Sequence, residues 1–213
     1  MVAKDRKHNI DWLNHFVGLI SVLLGVLIAF GLNSWNESRK EDRVIQTVLV
    51  NIQDEMENNL RKLDSTYLAN KNLRDFLVEL LKVVDDKMDP VKPADSLIGF
   101  RQKYADYISD DLESISILIE LFELSDVAWT TAGRTNVLSS MDYELVSDLA
   151  EIYSIQKRLK SFDNSITKEI SNVASAEKDK RAWMKMMKDI DTALTFAAVL
   201  KEAYKKKIED IKN

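Results

Sequence analysis

Positions 16–32 read FVGLISVLLGVLIAFGL, an apolar run without one charge, and beyond it the apolar residues thin into a helical stripe. Ile45, Leu49, Ile52, Met56, Leu60, Leu63 and Tyr67 recur at steps of three and four, with charges on the opposite face. That period predicts an amphipathic helix. A second set, Leu73, Phe76, Leu77, Leu80, Leu81 and Val84, continues it. Between Leu32 and Asp89 there is neither Gly nor Pro, so one helix is expected to leave the apolar run and continue without interruption. A helix from Asn36 to Asp86 would be about 75 Å long at 1.5 Å per residue. Asp64-Ser65-Thr66 and Asn70 to Asn72 are the expected places for a kink, because such side chains compete for backbone hydrogen bonds.

Pro90 and Pro93 mark a loop over 86–93. Beyond it, Ser96 is the expected N-cap of a short helix holding Ile98, Phe100, Tyr104 and Tyr107. The run Ile115 to Phe122 (ISILIELF) is expected to be helical, since a lone strand has no evident partner. Ser125 should cap a short helix carrying Val127 and Trp129, which Gly133 would end in the left-handed conformation. Ser139 or Ser140 should cap a long helix with Leu145, Leu149, Ile152, Tyr153, Ile155, Leu159, Phe162, Ile166, Ile170 and Val173. A polar stretch at 175–181 separates it from a last helix with Trp183, Met187, Ile190, Leu194, Ala197, Leu200, Tyr204, Ile208 and Ile211. The expected fold is all-α: one N-terminal transmembrane helix continuing into a long-helix antiparallel bundle. Residues 1–12 form a short tail, 13–35 the transmembrane helix and 36–213 a soluble helical domain.

A bilayer core of about 30 Å takes roughly 20 helical residues. Leu13 and Trp35 can complete the span, and Trp12 and Trp35 stand where an aromatic belt belongs. Ala29 and Gly31 have the spacing of a signal-peptide cleavage site. The length of the run, Phe30 within that site and the Trp after it favour an uncleaved anchor. The flanks tie in basic residues, Lys4, Arg6 and Lys7 against Arg39, Lys40 and Arg43, so the positive-inside rule is balanced. The free amino terminus and the short N-terminal tail place the large domain in the periplasm and the chain in a bacterial inner membrane. Ser21, Gly25 and Ala29, spaced by four, form a small-residue stripe that lets a second helix approach closely.

Charge and composition narrow the rest. The chain has a net charge of −5, of which residues 36–176 carry −9. An acidic body disfavours nucleic-acid binding. The chain contains no Cys, which removes disulfides, thiolate metal sites and thiol nucleophiles. Its two His, His8 and His15, precede the soluble domain, so a Ser-His-Asp triad, a His-ligated zinc and the Glu-x-x-His di-iron pattern have no imidazole there. No Gly-rich loop cradles phosphate. The acidic pairs Asp85-Asp86 and Asp110-Asp111, the latter with Glu113, lack the spacing of a calcium loop and read as solvated or capping residues. Trp183, Met184, Met186 and Met187 have the softness for copper, but Met and Trp on a helix more often pack, with Met184 and Met186 as exposed neighbours. No catalytic residue, metal or cofactor is expected.

The junction LIAFGLNSWNESRKE, Leu27 to Glu41, resembles an uncharacterised family of bacterial proteins, chiefly from Bacteroidota. Its members have one N-terminal span followed by N-x-W-N-E-x-R-K, here Asn33, Trp35, Asn36, Glu37, Arg39 and Lys40. The segment Ala128 to Gln156 resembles the downstream helical part of that family. The resemblance implies a membrane-anchored helical protein and supplies no catalytic residue. With Trp12, the motif residues read as a depth-setting collar at the membrane surface. The leading expectation is a non-enzymatic accessory or scaffold subunit that contacts the lipid bilayer and binds a protein partner, or itself, through the membrane helix. The alternatives are a periplasmic helical sensor acting through a partner, and an enzyme using carboxylates alone.

Overall fold

The structure is a computed structural model that describes residues 12–86, 94–108, 118–175 and 180–212. Five α-helices account for most of it: α1 (Trp12–Asp86), α2 (Ala94–Lys103), α3 (Val127–Arg134), α4 (Tyr143–Ser175) and α5 (Lys180–Lys212). A single 3-10 turn, Val137–Ser140, follows α3. No strand occurs among the described residues. The chain divides into two compact units, 1–47 and 48–213, both of which include part of α1.

The core of the second unit is built by α1, α4 and α5. Side-chain pairs fix their directions. Glu57 meets Lys212 at 2.9 Å and Arg74 meets Asp191 at 2.8 Å, so α5 runs antiparallel to α1. Asp148 meets Lys207 at 2.6 Å and Ser165 meets Asp189 at 2.9 Å, so α5 is antiparallel to α4 as well. It follows that α1 and α4 run in the same direction. The stretch between them must therefore travel back along α1. Residues 118–126, called here the strap, do this without helix or strand, and two tight backbone bonds, Glu123 N–H to the Leu121 carbonyl at 3.0 Å and Leu124 N–H to the Phe122 carbonyl at 2.8 Å, shape its middle.

The apolar stripes seen in the sequence supply the core. Ile52, Met56, Leu63, Leu73, Phe76 and Leu77 of α1 are completely buried. They pack with Leu149, Leu159 and Ile166 of α4 and with Ile190, Ala197, Leu200 and Tyr204 of α5. Ile45, Leu49, Leu60 and Tyr67, expected on the same stripe, are only half-buried.

Several local expectations are corrected. The strap is not helical over Leu118 to Phe122; residues 115–117 lie outside the described residues. No kink is needed at Asn70, because its side chain bonds to the strap rather than to its own helix. Helix α2 starts directly after Pro93 and ends at Lys103, so Ser96 is inside it and Tyr104 and Tyr107 lie beyond it. Gly133 lies within α3 and has no positive φ, and the left-handed residue is Asn136 with φ 59°. Asn tolerates that conformation well among L-residues. Asp142, not Ser139 or Ser140, caps α4: the Leu145 N–H donates to its Oδ1 at 3.0 Å. Met186 is fully buried, whereas Met184 is exposed as expected. Pro90, the pair Asp110-Asp111 and His8 lie outside the described residues.

Candidate functional site

In the first unit, α1 is exposed along the whole apolar run. Trp12 is 78% exposed, Leu19 59%, Phe30 70% and Trp35 56%. A soluble protein rarely leaves so long a contiguous apolar surface open to water. The helix is long and apolar enough to cross a membrane, and none of its most apolar window is buried by the rest of the chain. Trp12 and Trp35 are about 35 Å apart along the helix axis at 1.5 Å per residue, a spacing that brackets a hydrocarbon core of about 30 Å.

Ser21, Gly25 and Ala29 lie on one side of this helix, since each step of four residues advances the face by only about 40°. The Ser21 hydroxyl is turned back onto the helix, donating to the Val17 carbonyl at 2.8 Å. This removes a polar group that hydrocarbon would otherwise strand. No other side chain comes within 4 Å of a methyl built on Gly25, so the notch there is open.

The collar residues pair along the helix. Asn33 Nδ2 donates to Glu37 Oε1 at 3.0 Å. The Arg39 guanidinium stands over the Trp35 ring, 4.0 Å from its centroid. A cation over an indole is attractive, and here it holds the Trp ring and the first strong base of the water-exposed helix together. Asn36 and Lys40 fall on the Asn33–Glu37 side, and Trp35 and Arg39 on the opposite side. Trp12 is on the same helix, at the other end of the apolar run.

The second unit holds a polar seam that the apolar period did not reveal. Beside the apolar stripe of α1, Glu55, Asn59, Thr66 and Asn70 are buried. Asn70 makes two bonds to the backbone of one residue, donating to the Glu120 carbonyl at 2.7 Å and accepting from the Glu120 N–H at 3.0 Å. Asn59 does the same at Ser125, at 2.7 and 2.8 Å. The two Asn are three helical turns apart, about 16 Å of rise. Five residues of extended chain cover at most about the same distance. Helix and strap are therefore commensurate, and an amide can replace a neighbouring strand at both contacts.

Glu55 finishes the seam. Its Oε1 accepts from the Tyr153 hydroxyl at 2.8 Å. Its Oε2 accepts from Ser125 Oγ at 2.6 Å and from the Ala128 N–H at 2.9 Å. The last of these is a free amide of the first turn of α3, where a carboxylate is favoured by the helix dipole. Burial, and then the neighbouring Glu55 carboxylate, push the Tyr153 phenol well above its ordinary range. Tyr204 donates to Gln156 Oε1, and Gln156 Nε2 donates to the Ser125 carbonyl at 2.8 Å. On the α4 side, Asp163 Oδ2 accepts from the Phe122 N–H at 3.0 Å, while its Oδ1 is buried without a partner. Burial raises the Asp163 carboxyl from 3.8 to about 6. The signal for this seam was present in the sequence. Two Asn interrupt a helical face that is otherwise apolar, and a buried Asn needs a partner.

A family of unknown function, DUF6090, matches residues 18–98. The matched stretch contains most of the apolar run, the collar and the α1 half of the polar seam, and it ends within α2. The chain is similar to that family over this stretch, while Ala128 to Gln156 lies beyond the match. No curated protein and no solved structure matches the chain.

Proposed function

We propose that the protein is a non-enzymatic accessory or scaffold subunit, anchored in a bacterial inner membrane by residues 13–35. Its helical bundle lies on the periplasmic side, and it binds protein partners there and within the bilayer. The observation that carries this reading is the exposed apolar run of α1. Among the described residues nothing covers it, it is bracketed by Trp12 and Trp35, and it carries an open notch at Gly25. Between helices in lipid there is no hydrophobic drive, so a close-packing notch is the feature that favours association.

The polar groups of the bundle support the same reading. Glu55, Asn59, Asn70, Gln156 and Tyr153 are each engaged in holding the strap and α3. Their work is to fix a surface in place. The test is purification in mild detergent from the native host, followed by mass spectrometry of stoichiometric companions. A membrane-protein companion that is lost in Gly25→Leu supports the subunit reading. A chain that runs alone, as monomer or homo-oligomer, in both forms contradicts it. A sensor acting through a partner is favoured by one separate feature, the crevice beside α2.

A further inference from the structure

A crevice of about 430 Å³ opens between α1 and the turns that follow α2. Glu79 and Lys82 come from α1; Lys103, Tyr104, Asp106 and Tyr107 come from the end of α2 and the turns after it. Its floor is aromatic. Tyr107 stacks on the buried Phe76 with centroids 4.8 Å apart, and Tyr104 meets the same ring edge-on at 5.2 Å. These rings fix the wall, because Phe76 is completely buried in the bundle core.

Two polar features of this crevice are unfinished. Tyr104 is only 6% exposed, and its buried hydroxyl has no hydrogen-bond partner. It lies beside the Lys103–Glu79 ion pair without reaching hydrogen-bond geometry to either. That pair is itself closed at 2.5 Å. A buried hydroxyl left without a partner is unusual in a folded protein, and a ligand that supplies one recovers the lost bond. The second feature is charge. Lys82 and Asp106 line the crevice from opposite walls, and neither forms an ion pair among the described residues. One offers a cation and the other an anion.

We propose that this crevice binds a small zwitterion, a molecule carrying one carboxylate and one ammonium group, of which a free α-amino acid is the representative. Lys82 takes the carboxylate and Asp106 takes the ammonium. The Tyr104 hydroxyl donates to the carboxylate, and the Tyr107 ring, backed by Phe76, accommodates the apolar part. The volume suits a ligand of this size, and the mixed charge disfavours a simple anion or a simple cation, each of which would meet one like charge. Most of the lining side chains are polar or charged, which suits a charged small molecule.

The experiment uses the full chain in detergent micelles and the common free α-amino acids as probes. Thermal unfolding is read first and titration calorimetry second. Saturable binding is expected for at least one amino acid, and its N-acetyl and methyl-ester derivatives should bind about tenfold more weakly. Lys82→Met and Asp106→Asn should each weaken binding about tenfold, Lys82→Arg should retain it, and Tyr104→Phe should weaken it about fivefold. Lys82 and Asp106 are exposed, so these variants keep the fold, which an unchanged unfolding midpoint without ligand verifies. The proposal is overturned if no amino acid binds at about 10 mM, a concentration that detects affinities of a few kcal/mol. It is equally overturned if the charge-blocked derivatives, or the Lys82→Met protein, bind as tightly as their parents.

Discussion

Helix α1 does two opposite things with one continuous backbone. Over the apolar run 16–32 its side chains are exposed and almost wholly apolar, and among the described residues nothing buries them. From Glu55 to Asn70 it buries Glu, Asn and Thr, and the Glu and both Asn bond to the strap or to α3 and α4. The first half is apolar enough to cross a membrane and, by our reading, is completed by lipid and another helix. The second half is complete within itself. The difference shows that hydropathy alone does not reveal which part of a helix is inside a protein: here the polar half is buried and the apolar half is open.

The sharpest way to break this contrast is to remove the centre of the seam. Glu55→Leu leaves the Tyr153 hydroxyl, the Ser125 hydroxyl and the Ala128 N–H without their acceptor. It should cost about 3 kcal/mol or more, since each stranded group carries its own desolvation penalty. Denaturant unfolding measures the loss, and Glu55→Gln should lose markedly less. Asn59→Leu should cost about 1–3 kcal/mol, because it strands the Ser125 N–H, while the Ser125 carbonyl keeps its bond from Gln156.

Asp163 probes the other side of the strap. Its carboxyl is raised from 3.8 to about 6 by burial, so folding favours the protonated form. The stability linked to that proton is complete below pH 3.8 and is lost as pH rises through about 6. The shift corresponds to about 3 kcal/mol at most, and solvent screening of this half-buried group reduces it to about 1–2 kcal/mol. Asp163→Asn keeps an acceptor for the Phe122 N–H and removes the charge. Its unfolding free energy should lack the fall that Asp163 contributes between pH 3.8 and about 6, and should exceed that of the parent at pH 7 by about 1 kcal/mol. An Asp163→Asn protein that loses stability at pH 7 would refute a penalty from the buried charge.

In the membrane half the expected effects are smaller and of another kind. Gly25→Leu fills the open notch and should weaken helix association by about 1–2 kcal/mol, while the unfolding midpoint of the bundle stays where it was. Cross-linking in native membranes reads the first quantity. Arg39→Ala removes the cation above Trp35. It should shift the depth of that Trp by a small amount and cost about 0.5–1 kcal/mol, read by quenching with lipid-bound probes.

Much of the fold was legible from period and breakers. The stripes of α1, α4 and α5 reappear in the core as Ile52, Met56, Leu63, Leu149, Leu159, Leu200 and Tyr204. What escaped the sequence was non-local. ISILIELF reads as helix because nothing nearby in sequence can pair with a strand. Its described part is held by Asn70, 50 residues from Glu120, and by Asp163, 41 residues from Phe122, both acting through side chains. The capping errors have the same origin in miniature. Several Ser, Asn, Asp and Gly residues around 133–142 are each competent, and tertiary packing selects Asn136 and Asp142. The pairs Asn33 with Glu37 and Trp35 with Arg39, by contrast, are local to one helix and lie at a spacing of four that the sequence displays.

The central claim, that the open apolar half of α1 is a membrane anchor completed by a partner, is tested most directly in native membranes. The measurement is in-membrane cross-linking of full-length chains with a photoreactive residue replacing Ser21, against the same replacement at Leu23 on a different face. The account predicts a single discrete protein adduct from position 21 that is lost with Gly25→Leu, and lipid adducts from position 23. Lipid adducts alone from both positions, or release of the chain by an alkaline wash, would contradict it.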